Sequence, residues 1–109
     1  MNFDQYQKES RKTAIYKDLG KSFIYPLLGL VGETGEVAEK VKKIIRDGDG
    51  SISKEEREEL KWELGDVLWY LSQISVELGF DLDDIATSNI KKLKSRKVRG
   101  KLRGSGDRR

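Results

Sequence analysis

The chain has 109 residues, enough for one domain, and its 38% charged and 36% hydrophobic residues are typical of a small helical protein or an oligomer. The absence of cysteine and histidine excludes a disulfide framework, a thiolate or histidine zinc site and a Ser-His-Asp triad. Any metal site must therefore use oxygen ligands, which suit Mg²⁺, Mn²⁺ or Ca²⁺.

Charge is distributed unevenly along the chain. Residues 89–109 hold ten lysines and arginines and one acid, whereas the rest holds 12 basic and 18 acidic residues. An acidic body with a basic C-terminal end follows from this count. No apolar run is long enough to span a bilayer and no signal peptide is visible, so we expect a cytoplasmic protein without a membrane partner.

Apolar periodicity predicts four helices and no strand, hence an all-α bundle. The first helix is predicted over residues 3–17 from weak periodicity, and a loop with Gly20 and Pro26 follows. The second helix should cover residues 27–46 and the third about 54–78, with Leu60, Leu64, Val67, Leu68, Leu71, Ile74 and Leu78 facing inward. The fourth should end near residue 97. Residues 1–98 thus form the predicted domain, and 99–109 a basic, glycine-containing tail.

Local signals mark the helix ends. Ser53 with Glu56 three residues later predicts a capping box, and Gly79 predicts the stop of the third helix. Asp81 with Asp84 predicts the N-terminal cap of the fourth helix. Four helices of this length leave a thin core, and the second helix is apolar on both faces, so oligomerisation should complete the bundle.

Two pairs of acids lie inside these apolar stretches. Glu33 and Glu36 share a face of the second helix, as Glu63 and Asp66 do on the third. If the helices pack antiparallel, as their short loop favours, the four carboxylates converge and would repel one another strongly without a bound cation. Exposed glutamates are more often simply solvated, and one such pair alone would be weak evidence for a metal site.

Glycines accompany the acids of the second helix. Gly29, Gly32 and Gly35 form a row of missing side chains, although each costs about 1 kcal/mol relative to alanine in a helix. Close approach of a neighbouring helix is one explanation of the row. Space for a ligand or a hydrated ion is the other.

The segments "GLVGETGEVAEKVKK" and "ELGDVLWYL" together resemble the MazG-like all-α nucleoside triphosphate pyrophosphohydrolases, whose signature is ExxE followed by ExxD. The resemblance covers about residues 25–99. It implies hydrolysis of a nucleoside triphosphate to monophosphate and pyrophosphate, as in nucleotide-pool house-cleaning, and homodimers or dimers of dimers. The related phosphoribosyl-ATP pyrophosphohydrolases and dimeric dUTPases resemble the chain less closely.

The same resemblance implies roles for individual residues. Mg²⁺, or Mn²⁺ in its place, would be held by Glu33, Glu36, Glu63 and Asp66. In the fourth helix, "NIKKLKSR" matches an Asn…Lys-Leu…Arg pattern, which implies that Asn89, Lys92 and Arg96 contact the substrate. These three share one helical face, and two cations with an amide suit a polyphosphate, although a solvated basic face is equally compatible with them.

For the attack on the α phosphorus, Glu36 is our candidate for the residue that orients the water. Glu33 or Glu39 could do so instead. Without histidine or cysteine, a covalent intermediate on the protein is not expected, although serine, lysine and carboxylates remain open.

Two other classes of function compete with this one. The loop "DGDGSISKEE", 47–56, matches an EF-hand when Gly50 is set at position 6, but Ile45 then stands where the first aspartate belongs. The calcium-binding alternative is therefore weaker than a polar turn before a capped helix. The basic tail would suit a nucleic-acid-binding helical module, but it lacks interleaved aromatic residues, so we expect no specific nucleic acid.

Overall fold

The computed structural model describes all 109 residues and contains four α-helices and no strand, which confirms the predicted all-α fold. None of the helices has the length and apolar character needed to cross a bilayer. The helices are α1 Phe3–Arg11, α2 Ile24–Asp47, α3 Lys54–Glu77 and α4 Leu82–Val98.

The first helix is six residues shorter than predicted, because the chain turns immediately after Arg11. The N–H groups of Thr13 and Ala14 bond back to the carbonyls of Ser10 and Arg11, three residues earlier, and this tightens the last turn. Asp18 then adopts a left-handed backbone with φ of +60°. The weak periodicity beyond residue 11 thus belongs to a connecting segment.

The second helix begins three residues earlier than predicted, at Ile24, so Pro26 lies in its first turn. A proline is tolerated there, since N–H groups of the first turn have no partner within the helix. Pro26 is also one of the few fully buried residues. The loop prediction around this proline was therefore wrong for a physical reason, because proline favours a helix start as readily as a turn.

The predicted capping box at α3 is confirmed. Ser53 Oγ accepts a hydrogen bond from the Glu56 N–H at 3.1 Å, and Glu56 Oε1 accepts one from the Ser53 N–H at 2.9 Å. Gly79 follows the helix with φ of +77°, the left-handed conformation that favours glycine. Both ends of α3 are therefore defined by local sequence.

The cap predicted at α4 differs from the observed one. Asp81 occupies the cap position, but its side chain makes no capping hydrogen bond. Instead Gln7 of α1 accepts a hydrogen bond from the Leu82 N–H at 2.9 Å, and its amide donates to the Phe80 carbonyl at 2.9 Å. A side chain distant in sequence thus provides the cap and attaches α4 to α1.

The helices α2 and α3 form an antiparallel hairpin, the arrangement that the short loop favoured. Tyr70 lies against Gly29 near one end, whereas Glu59 pairs with Lys40 farther along, so contact positions rise on one helix as they fall on the other. Helix α1 packs against α3, and α4 packs against α1. The hairpin is therefore the element that brings the acidic pairs together.

The core is small and partly polar. Ala14 and Leu82 are the buried hydrophobic residues besides Pro26, whereas Ser10, Ser72, Gln73 and Ser75 are buried polar ones. Several apolar residues predicted to face inward are exposed, because the single chain has too few helices to cover both sides of its hairpin. They are Leu64 and Leu71 on α3 and Leu78 directly after it. The apolar residues Leu27, Val31, Val41 and Ile45 of α2 are exposed as well.

Candidate metal and substrate site

Three of the four predicted metal ligands converge between α2 and α3. One carboxylate oxygen from each of Glu33, Glu63 and Asp66 lies within 4.8 Å of the other two. Neighbouring ligands of an octahedral Mg²⁺ are about 3 Å apart and opposite ones about 4 Å, since Mg–O distances are about 2.1 Å. Small side-chain rotations would therefore bring these three oxygens into one coordination sphere.

The electrostatics of the cluster favour cation binding. Partial burial raises the pKa of Glu33 above its ordinary value, and the nearby carboxylates of Asp66 and Glu63 raise it further. A raised pKa means that the site resists a third negative charge when no cation is present. A divalent cation would remove this penalty, because it is attracted to every carboxylate in the cluster.

One lysine already neutralises part of this charge. Lys40 lies on α2 with its Nζ 3.8 Å from Glu63 Oε1 and 3.5 Å from Glu59 Oε2. Both ion pairs are partly exposed, so each contributes at most about 1 kcal/mol to stability. Lys40 can turn toward Glu59 when Glu63 takes another partner, since it already touches both.

Glu36 stands apart from the three convergent acids. It follows Glu33 by one helical turn, is exposed, and makes no hydrogen bond or ion pair. It still acts on the cluster, because its negative charge adds to the rise in the pKa of Glu33. The structure thus places Glu36 at the open edge of the cluster, where solvent reaches its carboxylate.

The glycine row of α2 divides into two kinds of position. A Cβ added at Gly29 would lie 2.1 Å from Cε1 of Tyr70, so the tyrosine ring fills the space that a side chain would need. An added Cβ at Gly32 or Gly35 would meet nothing within 4 Å. Close helix approach explains Gly29, whereas Gly32 and Gly35 leave open space beside Glu33 and Glu36.

A group of aromatic residues borders the acidic cluster at Tyr70. The rings of Tyr16 and Tyr25 stack with centroids 5.5 Å apart, and Trp69 meets Tyr16 and Tyr70 edge to face. Burial raises the pKa of the Tyr70 hydroxyl, and the charges of Tyr25, Glu33 and Asp66 raise it further, which places this ring near the acids. Tyr16 and Tyr25 come from segments without clear periodicity, so only the tertiary fold could reveal the group.

The fourth helix, which packs against α1, carries the predicted substrate residues. No hydrogen bond or ion pair joins Asn89, Lys92 or Arg96 to the carboxylates of the hairpin. Asn89 and Lys92 line a groove of about 410 Å³ together with Phe80 and Ser88. Arg96 is buried, and both cations contact Asp107 of the C-terminal tail. Within one chain, no direct bond thus joins the acidic and basic sets.

The loop of the competing calcium motif forms a polar turn. The Asp49 carboxylate accepts hydrogen bonds from the backbone N–H and the hydroxyl of Ser51, and Asp47 pairs with Arg46 at 2.7 Å. Glu56, the twelfth EF-hand position, accepts the N–H of Ser53. The polar groups of the loop therefore bond one another as in a turn leading to a capped helix.

Comparison with known proteins identifies the family of the chain. Residues 23–99 match the MazG nucleotide pyrophosphohydrolase domain. The chain is 47% identical over 114 aligned residues to the "Gene 37 protein" of Mycobacterium phage L5, and the alignment covers both proteins completely. No solved structure gives a significant match. The matched span contains both acidic pairs and the whole of α2, α3 and α4, and the chain belongs to the MazG nucleotide pyrophosphohydrolase domain family.

Proposed function

We propose that the chain is a Mg²⁺-dependent nucleoside triphosphate pyrophosphohydrolase that cleaves deoxynucleoside or ribonucleoside triphosphates to monophosphate and pyrophosphate for nucleotide-pool house-cleaning. The observation that carries this proposal is the convergence of Glu33, Glu63 and Asp66 on two antiparallel helices of a MazG domain. Residues 1–98 form the catalytic domain in this proposal.

The donor set fits a hard divalent cation. All its ligands are carboxylate oxygens, and together with Glu36 they would hold Mg²⁺, or Mn²⁺ in its place. When bound, such an ion would neutralise the negative charge on the phosphate oxygens during cleavage. The open side of the cluster at Gly32 and Gly35 leaves room for the triphosphate beside it.

Glu36 is proposed to orient the attacking water. Its carboxylate is exposed and has no partner in the chain, so it can accept a proton from a water beside the cluster. The water oxygen forms a bond to the α phosphorus, the bond to the bridging oxygen breaks, and pyrophosphate leaves. Glu33 could play this role instead, whereas Glu39 is less suitable because it pairs with Lys42 at 2.9 Å.

Asn89, Lys92 and Arg96 are proposed to bind the phosphates or the base. Since α4 packs against α1 and no bond joins its cations to the hairpin acids, this role favours a second chain that brings its α4 to the hairpin. Helix α2 offers a surface for that chain, because its face away from α3 carries a stripe of apolar side chains with steps of seven residues. The stripe consists of Ile24, Val31, Ala38 and Ile45, of which Val31 and Ile45 are each 65% exposed.

The proposed assembly is a homodimer or a dimer of dimers with this stripe at an interface. Val31→Asp would place a charge in the middle of the stripe and should shift the protein toward monomers in analytical ultracentrifugation. Glu55→Gln is a surface control, because Glu55 is exposed and makes no hydrogen bond or ion pair in the chain. Unchanged association of Val31→Asp would remove the stripe from the interface.

Pyrophosphate release from a panel of normal and modified nucleoside triphosphates, with Mg²⁺, with Ca²⁺ and with EDTA, tests the activity itself. We expect monophosphate and pyrophosphate only with Mg²⁺ or Mn²⁺. Asp66→Asn and Glu36→Gln should abolish turnover without loss of helical content, whereas Glu55→Gln should retain it. Full activity in both site variants would refute the carboxylate site, and hydrolysis in EDTA would refute the metal requirement.

A further inference from the structure

Residues 100–109 of the C-terminal tail fold back onto α4 and contact two of its cations. The Asp107 carboxylate lies 3.3 Å from Lys92 Nζ and 3.7 Å from Arg96 Nη2. The same Arg96 nitrogen donates to the backbone carbonyl of Asp107 at 2.8 Å and to that of Gly106 at 3.4 Å. One guanidinium thus holds the tail through main-chain oxygens as well as through a carboxylate.

The tail has a defined conformation of its own. Gly104 and Gly106 have φ of +122° and +89°, which reverse the chain where other residues would be strained. Arg109 then returns to the start of the tail, where its guanidinium donates to the carbonyls of Lys101, Leu102 and Gly106. The tail is therefore a closed loop that presents the Asp107 carboxylate to Lys92 and Arg96, while Arg99 after α4 donates to the Arg109 oxygen.

The site beneath the tail is built for an anion but is incompletely satisfied. The Arg96 side chain is only 6% exposed, and its Nε is buried without any hydrogen-bond partner. A buried donor of this kind costs free energy that an additional acceptor would recover. The occupant, Asp107, has a side chain that is 89% exposed, so it lies at the rim of the site and does not fill it.

We propose that residues 100–109 are a displaceable strap, in which the Asp107 carboxylate occupies the anion site of Lys92 and Arg96 and must leave before a polyphosphate binds there. This regulation rests on the proposed function, because it takes Lys92 and Arg96 as polyphosphate contacts. A triphosphate offers more acceptor oxygens and more charge than one carboxylate, and it can reach both cations at once. The strap therefore lowers the apparent affinity for substrate by the fraction of time that it is closed.

The charge of the tail and its role as a strap predict opposite changes in anion affinity when the tail is removed. A chain that ends at Leu102 loses three arginines and one aspartate, so its net charge falls by two. If the tail acted only as a source of positive charge, this truncation would weaken anion binding. If the tail acts as a strap, the truncation strengthens it. Ending at Leu102 keeps the Lys101 N–H that bonds to the Arg96 carbonyl, so the end of α4 stays intact.

Isothermal titration of inorganic tripolyphosphate into the metal-free full chain and its variants distinguishes these cases. We expect about fivefold tighter binding by the chain ending at Leu102 and a smaller gain for Asp107→Asn. Arg103→Ala, a tail change at a residue without contacts, is the control and should not bind more tightly. The gain should disappear when Lys92→Gln is added to the truncation. Equal or weaker binding by the truncated chain would overturn the strap.

Nuclear magnetic resonance of the full chain gives a second readout. The amide signals of Gly104 and Gly106 should move toward values for unstructured chain as tripolyphosphate is added, and signals that stay in place would overturn displacement. Neither measurement needs turnover. Displacement of the tail without hydrolysis of any nucleotide would support the strap and refute the proposed activity. Turnover with the same KM in the full and truncated chains would support the activity and refute the strap.

Discussion

Gly29→Ala is the sharpest single test of how the hairpin holds its site. The added Cβ would lie 2.1 Å from Cε1, 2.4 Å from Cζ and 2.5 Å from Cδ1 of Tyr70, whereas ordinary contacts begin at 3.4 Å. Because three atoms on one side of the ring clash, the whole ring must move by more than 1 Å. The ring is restrained by Trp69, which meets it edge to face at 5.1 Å.

The expected magnitude follows from two opposing terms. Alanine gains about 0.5–1 kcal/mol over glycine inside a helix, whereas overpacking a filled site costs about 1–3 kcal/mol. Gly29→Ala should therefore lower the free energy of unfolding by about 1 kcal/mol on balance. Gly65→Ala is the matched control in α3, since its Cβ meets nothing within 4 Å, and it should raise stability by about 0.5–1 kcal/mol.

The same substitution should weaken metal binding. Gly29 and Tyr70 each lie one helical turn from the cluster, at Glu33 on α2 and Asp66 on α3. Moving the helices apart at this contact separates the two carboxylates. We therefore expect a several-fold loss of Mg²⁺ affinity in Gly29→Ala and none in Gly65→Ala.

Urea unfolding at a fixed protein concentration measures the stability difference, because association would otherwise shift the midpoint. Titration calorimetry with Mg²⁺ measures the affinity. If Gly29→Ala stabilised the protein as much as Gly65→Ala does, Tyr70 would not pack against Gly29. If stability fell but Mg²⁺ affinity did not, the contact would not position the carboxylates.

Three further outcomes follow from the contacts. Burial raises the pKa of Glu77, but hydrogen bonds from Tyr16, Gly20 and Arg11 outweigh it and hold this pKa below its ordinary value. Glu77→Gln should therefore lower the free energy of unfolding by about 3 kcal/mol at neutral pH, because it removes the ion pair of the buried Glu77 with Arg11. Because that stability is present above the unfolded pKa and lost as pH falls, the cost should shrink in urea titrations toward pH 3. Ser53→Ala should lower the free energy of unfolding by about 1 kcal/mol through loss of the capping box. The Asp49→Asn variant should keep Mg²⁺-dependent turnover, and calorimetry should detect no tight Ca²⁺ site in the parent.

Much of the hairpin could be predicted from the sequence, because the signals that define it are local. The apolar period extends through both long helices, Ser53 with Glu56 fixes the start of α3, and Gly79 fixes its end. A short loop then leaves two long helices little choice but to pack antiparallel. Convergence of Glu33 with Glu63 and Asp66 follows from that packing, which brings two half-buried glutamates and the exposed Asp66 together across the hairpin.

The remaining features depend on contacts between residues far apart in sequence. Gln7 of α1 caps α4, and Tyr16 hydrogen-bonds to both Arg11 of α1 and Glu77 of α3. No local sequence pattern predicts these contacts. The buried side chains at these contacts are largely polar, so hydrophobic periodicity could not identify them.

By itself, the sequence determined that the chain is helical, where α3 begins and ends, the two acidic pairs and the segments that resemble the MazG-like family. Only the tertiary structure decided that the Tyr70 ring fills the space beside Gly29 and that Glu36 stands outside the three convergent acids. The same holds for the contact of Asp107 with Lys92 and Arg96. The physical reason is the range of the interactions. Helical periodicity and caps act within a few residues. The packing of the Tyr70 ring against Gly29 and the pairing of Asp107 with cations of α4 depend on how the helices and the tail pack in space.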